Sequence, residues 1–359
     1  MYKILRREYP EYEIEVVDVL TILKSKRFFF YYFPNIYFFC REYGLQILLG
    51  QKKWKEWRTW FLATSYISIR VGRILKKKAE GKSYKFTFQT QSVFNGKIEG
   101  VPHFIYTDHT TQTNLLYPGI DPRRYMRSKR FIEKSEIKIY QDATTVFTLG
   151  SLPAYSLINQ YKIENKKVVV ACAGSNIESG GFTADTAKYK LKNILFVGIE
   201  WERKGGPFLL KVFQKVLEMH PDATLTIVGC TPDTHRTPNC KVIGKIPIHS
   251  LPGYFNTASV FCMPTIREPF GIVFIEAMNY RLPIIANNIG CLPDMVINNY
   301  NGYLIDNADI DEYVEKIADL LMDPGKCKIM GENGYQYAQS KFTWEHVGNI
   351  MKSNIDKWI

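Results

Sequence analysis

Two glutamates stand eight positions apart in the segment REPFGIVFIEAMNYRLPII (Arg267–Ile285), Glu268 and Glu276, with Pro-Phe-Gly directly after the first. Two carboxylates at that interval identify no reaction by themselves. Their neighbours say more. Pro269 and Phe270 end one element, Gly271 lets the backbone come close to a ligand, and a helix beginning at Ile272 and Val273 exposes unpaired N–H groups in its first turn. Glu268, before that helix, can accept hydrogen bonds from sugar hydroxyls, while Glu276, about one turn into it, can hold the two hydroxyls of a ribose. The spacing therefore suits a nucleotide-sugar, hexose at one glutamate and ribose at the other. Read singly, each is also an ordinary surface or helical glutamate.

A second cluster lies upstream. Arg203 and Lys204 precede Gly205-Gly206 and the start of a helix, where fixed cations, flexible backbone and unpaired N–H groups converge on an anion such as a diphosphate. At an effective dielectric near 20, one cation about 4 Å from a unit negative charge gains roughly 4 kcal/mol before desolvation. Two such cations can stabilise a departing nucleoside diphosphate. The sequence holds no Walker A motif and no dense Asp cluster for magnesium, so no metal and no cofactor is expected. A solvated, charged helix start is the bland alternative for RKGG.

Positioning these residues requires a sheet. From Asn193 onward, short apolar runs alternate with segments of helical period: NILFVGI (193–199), ATLTIVG (223–229), KVIG (241–244), SVFCMPT (259–265), LPIIA (282–286) and GYLI (302–305). Fully apolar strands alternating with helices predict a parallel sheet covered on both faces. Ligands of such sheets sit at the carboxyl ends of the strands, and both clusters fall in loops at those ends. In the first half, YEIEVVDV, KFTFQTQ and PHFIYTDH read as strands, with a helical region over about 51–79. DATTVFTLG and KKVVVACAG complete a second α/β unit near Gly174. The polar stretch 175–192 reads as a linker, which predicts an N-terminal domain over 1–175 and a C-terminal one over 176–341.

The 359 residues are enough for two such domains, each with its own core. Seven scattered cysteines without a C-x-x-C pair predict reduced thiols rather than a disulfide frame or zinc site, and so a cytoplasmic protein. The opening MYKILRREYPEY lacks the apolar core of a signal peptide, and no apolar run reaches membrane-spanning length. Residues 1–150 hold 26 Lys+Arg against 14 Asp+Glu, and 151–359 hold 21 against 21, so the net charge of +12 belongs to the first part. There KSKR, QKKWKEWR and ILKKKAEGK alternate with RFFFYYFPNIYFF and WRTWF. That pairing suits peripheral contact with an anionic membrane, at the inner face for a cytoplasmic chain. It also suits nucleic acid, or a solvated basic face over an aromatic core.

On these motifs the sequence resembles the retaining glycosyltransferases of family 4, which have the GT-B fold. The E-x7-E motif is Glu268 to Glu276. RLPIIANNIGCLPDMV is similar to the family's G-x-P-(V/I)-(V/I)-A…G-G-x-P-E pattern, with Arg281 before Leu-Pro and Asp294 where Glu is usual. LFVGIEWERKGGPFLL resembles the strand-loop-helix that carries the phosphate-binding Lys. Ile199 stands where many members have Arg, a charge that Arg203 can supply. GYLI and FTWEHV resemble closing elements, and the last helix, about 342–359, is expected to return to the first domain. The resemblance covers about 140–359 closely. The opening REYPEYEIEVVDV resembles the end of a first helix and a second strand, so the first strand and Gly-rich loop usual in the family are expected to be lacking.

The resemblance implies an α/β chain of two Rossmann-like parallel-sheet domains facing a central cleft that closes by domain rotation. It implies transfer of a hexosyl unit from a UDP-sugar or GDP-sugar to a hydroxyl of a saccharide or lipid-linked acceptor, with retention of configuration and without metal. Lys204 and Arg203 would neutralise the diphosphate, backbone N–H groups over Phe270, Gly271, Ile272 and Val273 would contact phosphate and sugar, Glu268 would orient the hexose and Glu276 would hold the ribose. His109 in YTDHT resembles the family's acceptor-side histidine, or is structural. The competing readings are a GT-B epimerase or phosphorylase, a non-catalytic or partner-dependent subunit that binds nucleotide-sugar, and a nucleic-acid binder. The E-x7-E context speaks against the epimerase and the lack of a pyridoxal-lysine signature against the phosphorylase. The expectation is the transferase, with no nucleic-acid partner; a nucleic-acid binder predicts steeply salt-dependent DNA or RNA binding.

Overall fold

The computed structural model describes residues 1–25, 28–43, 61–62, 64–117, 129, 132–177, 186–234 and 237–359. The chain divides into two units, Met1–Ala171 with Gly348–Ile359, and Cys172–Val347.

In the first unit, helices α1 (Tyr2–Glu8), α2 (Val19–Lys24), α3 (Tyr32–Tyr43) and α4 (Ser65–Ala79) precede strands β1 (Thr87–Thr90) and β2 (His103–Thr107). Then follow α5 (Thr111–Leu115), α6 (Ile137–Asp142), β3 (Thr145–Thr148), α7 (Ser151–Tyr155) and β4 (Val168–Val170). The sheet is parallel in sequential order, β1-β2-β3-β4. Its middle strands are buried on both faces, with Phe104, Ile105, Val146 and Phe147 excluded from water, as two-sided covering of a parallel sheet requires.

YEIEVVDV, whose alternation predicts a strand, is not one: residues 13–18 pair with no strand. Its charged positions are held by side chains instead. Glu15 accepts hydrogen bonds from Lys82 Nζ at 2.7 Å and from Tyr84, and Asp18 caps α2 by accepting from Leu20 N at 2.9 Å. Of the helical region over 51–79, α4 begins at Ser65, with Thr64 as its cap. Residues 51–60 and 63 lie outside the described part, as do all of QKKWKEWR, WRTWF except Phe61, the last two residues of KSKR, and residues 178–185 of the polar linker.

The second unit holds β5 (Asn193–Val197), α8 (Gly206–Met219), β6 (Thr224–Val228), β7 (Cys240–Gly244) and α9 (Leu251–Asn256). It continues with β8 (Val260–Met263), α10 (Ile272–Asn279), β9 (Ile284–Asn287), β10 (Gly302–Ile305), α11 (Ile310–Met322) and α12 (Pro324–Lys341), and α13 (Trp344–Ile355) returns the chain to the first unit. All six apolar runs from Asn193 onward are strands, in one parallel sheet of order β10-β9-β8-β5-β6-β7. That order reverses between β5 and β8, which pair through Ile194 with Val260 and Leu195 with Phe261. Loops leaving neighbouring strands in opposite senses open a crevice there, at the carboxyl ends. α8 turns Leu209, Val212, Phe213 and Val216 onto the sheet. Within the first unit, α13 is fastened to α1 and the turn after it: Tyr9 donates to Asp356 Oδ1 at 2.8 Å, and Lys352 Nζ donates to Glu8 O at 3.2 Å and lies 4.2 Å from the centre of the Tyr9 ring.

Candidate active site

The loops that follow β5 and β8 are joined across the switch point. Ile266 N donates to Arg203 O at 2.9 Å, and Arg203 Nη1 donates to Arg267 O at 2.6 Å while its Nε donates to Glu200 Oε2 at 2.6 Å. Arg203 thus stitches the loops together. Lys204 Nζ donates to Glu268 Oε2 in an ion pair whose two side chains are both largely buried. Burial pushes the Lys204 ammonium below the ordinary lysine value, and Glu268 works against that shift.

Glycines allow this closeness. Gly205 lies in the left-handed region at φ 76°, and a Cβ there would come within 1.9 Å of Pro264 O. Gly271, at φ 101°, starts α10 from the same region. Neither α8 nor α10 has a side-chain cap. At α8 the Gly206 N–H is taken by Trp201 O at 2.9 Å and Pro207 has none to give, whereas α10 presents the first-turn N–H groups of Ile272 and Val273 at the end of β8. The positive end of α10 and the Lys204 ammonium therefore gather at one place, an arrangement that favours an anion.

Glu276 sits on the second turn of α10 and is buried. Burial raises its carboxyl to about 7, opposed by a backbone hydrogen bond from Asn176. Phe270 is buried against Phe342, ring centres 6.3 Å apart, so it fixes the loop by packing and leaves only its backbone for a ligand. Ile272 and Val273 occupy the first two positions of α10. Lys204 and Glu268 are thus brought into contact, Arg203 is engaged in holding their loops, and Glu276, Gly271, Ile272 and Val273 lie along the adjoining helix.

His109 belongs to the first unit, in the loop between β2 and α5. Its Nδ1 is hydrogen-bonded to Asp108 Oδ1, which also accepts from Gln91 Nε2 at 2.9 Å. Burial works to raise the Asp108 carboxyl, but the bonds from His109 and Gln91 outweigh it and hold it below the usual value. The loop is pinned from inside by Glu136, a fully buried carboxylate accepting from Ser92 Oγ at 3.0 Å, Thr111 N at 3.1 Å and Tyr161 OH at 2.5 Å. Sequence reading passed over Asp108, Glu136, Glu200 and Asn176. Asp108 adjoins His109 and Glu200 lies three residues before Arg203, so both carried a local signal. Glu136 and Asn176 act only through the tertiary structure.

Among the described residues no group of three or more His, Cys, Asp or Glu side chains is placed to hold a metal ion, and no helix is long and apolar enough to cross a membrane.

Residues 182–337 match the family described as Glycosyl transferases group 1. Over 170 residues the chain is 29% identical to a GDP-mannose-dependent monoacylated alpha-(1-6)-phosphatidylinositol monomannoside mannosyltransferase of Corynebacterium glutamicum, a match covering 42% of this chain and 44% of that protein. The chain spans about half the length of the curated relatives it matches first. Among solved structures, sucrose-phosphate synthase from Thermosynechococcus elongatus superposes with a TM-score of 0.65 at 20% identity, covering 81% of this chain and 78% of that one. Anabaena HepE in complex with UDP gives a TM-score of 0.58 at 15% identity over 72% of each chain. With its two parallel sheets the chain has the GT-B α/β fold, and the match over residues 182–337 supports a glycosyltransferase.

Proposed function

We propose that this chain transfers a hexosyl unit from a nucleoside diphosphate sugar to a hydroxyl of a saccharide or lipid-linked acceptor, keeping the anomeric configuration and needing no metal. The observation that carries the proposal is the buried Lys204–Glu268 pair beside the uncapped start of α10 at the β5/β8 switch point. In this reading Lys204 and the N–H groups of Ile272 and Val273 take the diphosphate, and Arg203 adds charge while holding the loop. Charge that develops on the leaving group meets donors already in place, so little reorganisation is needed as the bond breaks. Glu268, held by Lys204, orients the hexose, and Glu276 takes the ribose diol. His109, its ring oriented by Asp108, is assigned to acceptor binding.

UDP and GDP are the candidate nucleotides. The relatives include a protein named for GDP-mannose and a neighbour solved with UDP, which supports the class of donor and leaves the base to experiment. We place the activity in the cytoplasm, at the inner face of a membrane.

A thermal-shift panel of UDP, GDP and ADP with wild type, Lys204→Ala and Glu276→Gln tests the donor site. One diphosphate should stabilise the wild type and neither variant to the same degree; no shift with any of the three would overturn the assignment. Release of nucleoside diphosphate from the matching donor by purified protein separates an enzyme from a non-catalytic subunit. Proton NMR of the product's anomeric signal tests retention, and turnover unchanged by a chelator tests metal independence.

A further inference from the structure

Helix α3 and the turn before it (Phe28–Tyr31) face the wrong way round for a surface helix in water. Inward point Phe28, Asn35, Phe39 and Glu42, all buried. Outward point Phe29 (55% exposed), Phe30 (74%), Phe33 (66%), Ile36 (45%) and Tyr37 (63%). These five recur at the spacing of one helical stripe.

The orientation is locked by the polar residues within. Asn35 Nδ2 donates to Phe61 O at 2.7 Å and its Oδ1 accepts from Thr64 Oγ1. The Glu42 carboxylate accepts from Ser65 N at 3.0 Å and from the Ser65 hydroxyl. Turning α3 over to hide the aromatics would strand a buried amide and a carboxylate, so the rings stay out. An apolar stripe of this kind marks an interaction face.

Charge selects the occupant. Lys24 and Arg41 are exposed at the two ends of the stripe. Arg70 of α4 lies over the rings of Tyr31 and Tyr66, at 5.2 and 5.1 Å, and Tyr66 stacks on Phe38 at 4.7 Å. From Arg70, α4 continues through Arg73, Lys76, Lys77 and Lys78 without an acidic residue. Across α2, α3 and α4 the sole carboxylate is the buried Glu42. Over residues 19–79 the sequence has 13 Lys+Arg against 2 Asp+Glu. A second copy of the chain on this face would set those cations against themselves. A surface that is apolar within and anionic without satisfies both parts.

We propose that the Phe29–Tyr37 face, rimmed by Lys24, Arg41, Arg70, Arg73 and Lys77, docks the chain on an anionic lipid bilayer, rings at the level of the headgroups and cations on the lipid phosphates. The proposal stands apart from the transfer reaction.

The test is sedimentation of the full chain with vesicles of phosphatidylcholine alone and with about 30% phosphatidylglycerol. Partition should be at least about tenfold stronger on the anionic vesicles and weaken with salt. Phe30→Ser with Phe33→Ser and Tyr37→Ser should lower it about tenfold or more, and Arg73→Glu with Lys77→Glu should remove its salt dependence. The substituted side chains are exposed, so the thermal midpoint should hold; Phe30→Ser alone serves if the triple variant does not fold. No partition, equal partition on both vesicles, or partition indifferent to the aromatic variants overturns the proposal. So does a lipid-free dimer in the ultracentrifuge that the aromatic variants dissolve, or salt-steep binding of single-stranded RNA without vesicle binding.

Discussion

Lys204 and Glu268 reach one another across the β5/β8 switch point from loops 64 residues apart, and both side chains are largely withdrawn from water. Each therefore depends on the other for its charge to be tolerated. Removing one partner leaves an uncompensated buried charge, which costs about 3–5 kcal/mol, whereas replacing both by apolar groups is far less costly. Lys204→Met should lower the unfolding free energy by about 3 kcal/mol, and Lys204→Met with Glu268→Leu should recover most of it. Urea unfolding of the three proteins measures this; equal losses for single and double variants would mean that the two groups do not interact.

Glu276 gives donor binding a pH dependence of definite sign. In the free protein its carboxyl is raised to about 7 by burial. An ionised carboxylate accepts from both hydroxyls of a diol, so a ligand held there binds the ionised form. Below about pH 7 a proton must leave on binding, and affinity should fall by up to tenfold per pH unit. Calorimetry of the matching nucleoside diphosphate from pH 5.5 to 8.5 should show this fall in the wild type and a flatter, weaker profile in Glu276→Gln. The same group makes the unliganded fold less stable as pH rises: its contribution is full below the unfolded carboxyl value and is lost on rising through about 7.

The second unit was legible because buried parallel strands are unbroken apolar runs, and SVFCMPT or NILFVGI can be little else in a soluble chain. Its loops were legible through Gly205 and Gly271, since glycine before a helix, beside charge, signals close backbone approach. YEIEVVDV misled because alternation records only which residues could face two ways, and here Glu15 and Asp18 found side-chain and cap partners in place of a neighbouring strand. RFFFYYFPNIYFF read equally as core and as interface, and the structure divides it between the two: Phe28 and Phe39 inside, Phe30 and Phe33 outside. No local pattern could decide that, because the inward face is chosen by Asn35 and Glu42 finding partners at Phe61, Thr64 and Ser65. The burial of Glu276 and the pinning of the His109 loop by Glu136 depend likewise on distant segments.

The glycines of the site should separate from glycines elsewhere. Gly81 and Gly205 share nearly the same backbone angle, φ 75° and 76°, but a Cβ at Gly81 meets nothing within 4 Å while one at Gly205 meets Pro264 O at 1.9 Å. Gly81→Ala should cost about 1 kcal/mol, the left-handed strain alone. Gly205→Ala must also push the β8 loop away, and should cost at least about 2–3 kcal/mol and abolish the thermal shift given by the nucleoside diphosphate. Equal costs at the two positions would remove the close approach of the loops from the account of the site.

Lys188 supplies a test of the second unit's packing that owes nothing to catalysis. It is 3% exposed, donates to Tyr280 O, and lies 5.1 Å from the centre of the Tyr189 ring. Burial, with Arg281 adding to it, lowers the ammonium to about 7. The unfolded chain therefore holds this proton between about pH 7 and 10 while the folded chain has released it. Where the unfolded state binds more protons, stability rises with pH. The contribution is present above the unfolded lysine value and is lost as pH falls to about 7, at up to about 1.4 kcal/mol per unit. The neighbouring Cys327 thiol, raised to about 12 by burial, acts in the opposite sense once unfolded thiols begin to ionise near pH 9. The clean window is therefore pH 7 to 8.5. There, wild-type stability in urea should rise relative to Lys188→Met, whose methionine fills the same space without a proton to lose. Parallel profiles for the two proteins would place the Lys188 ammonium in water and not in the core beneath Tyr280.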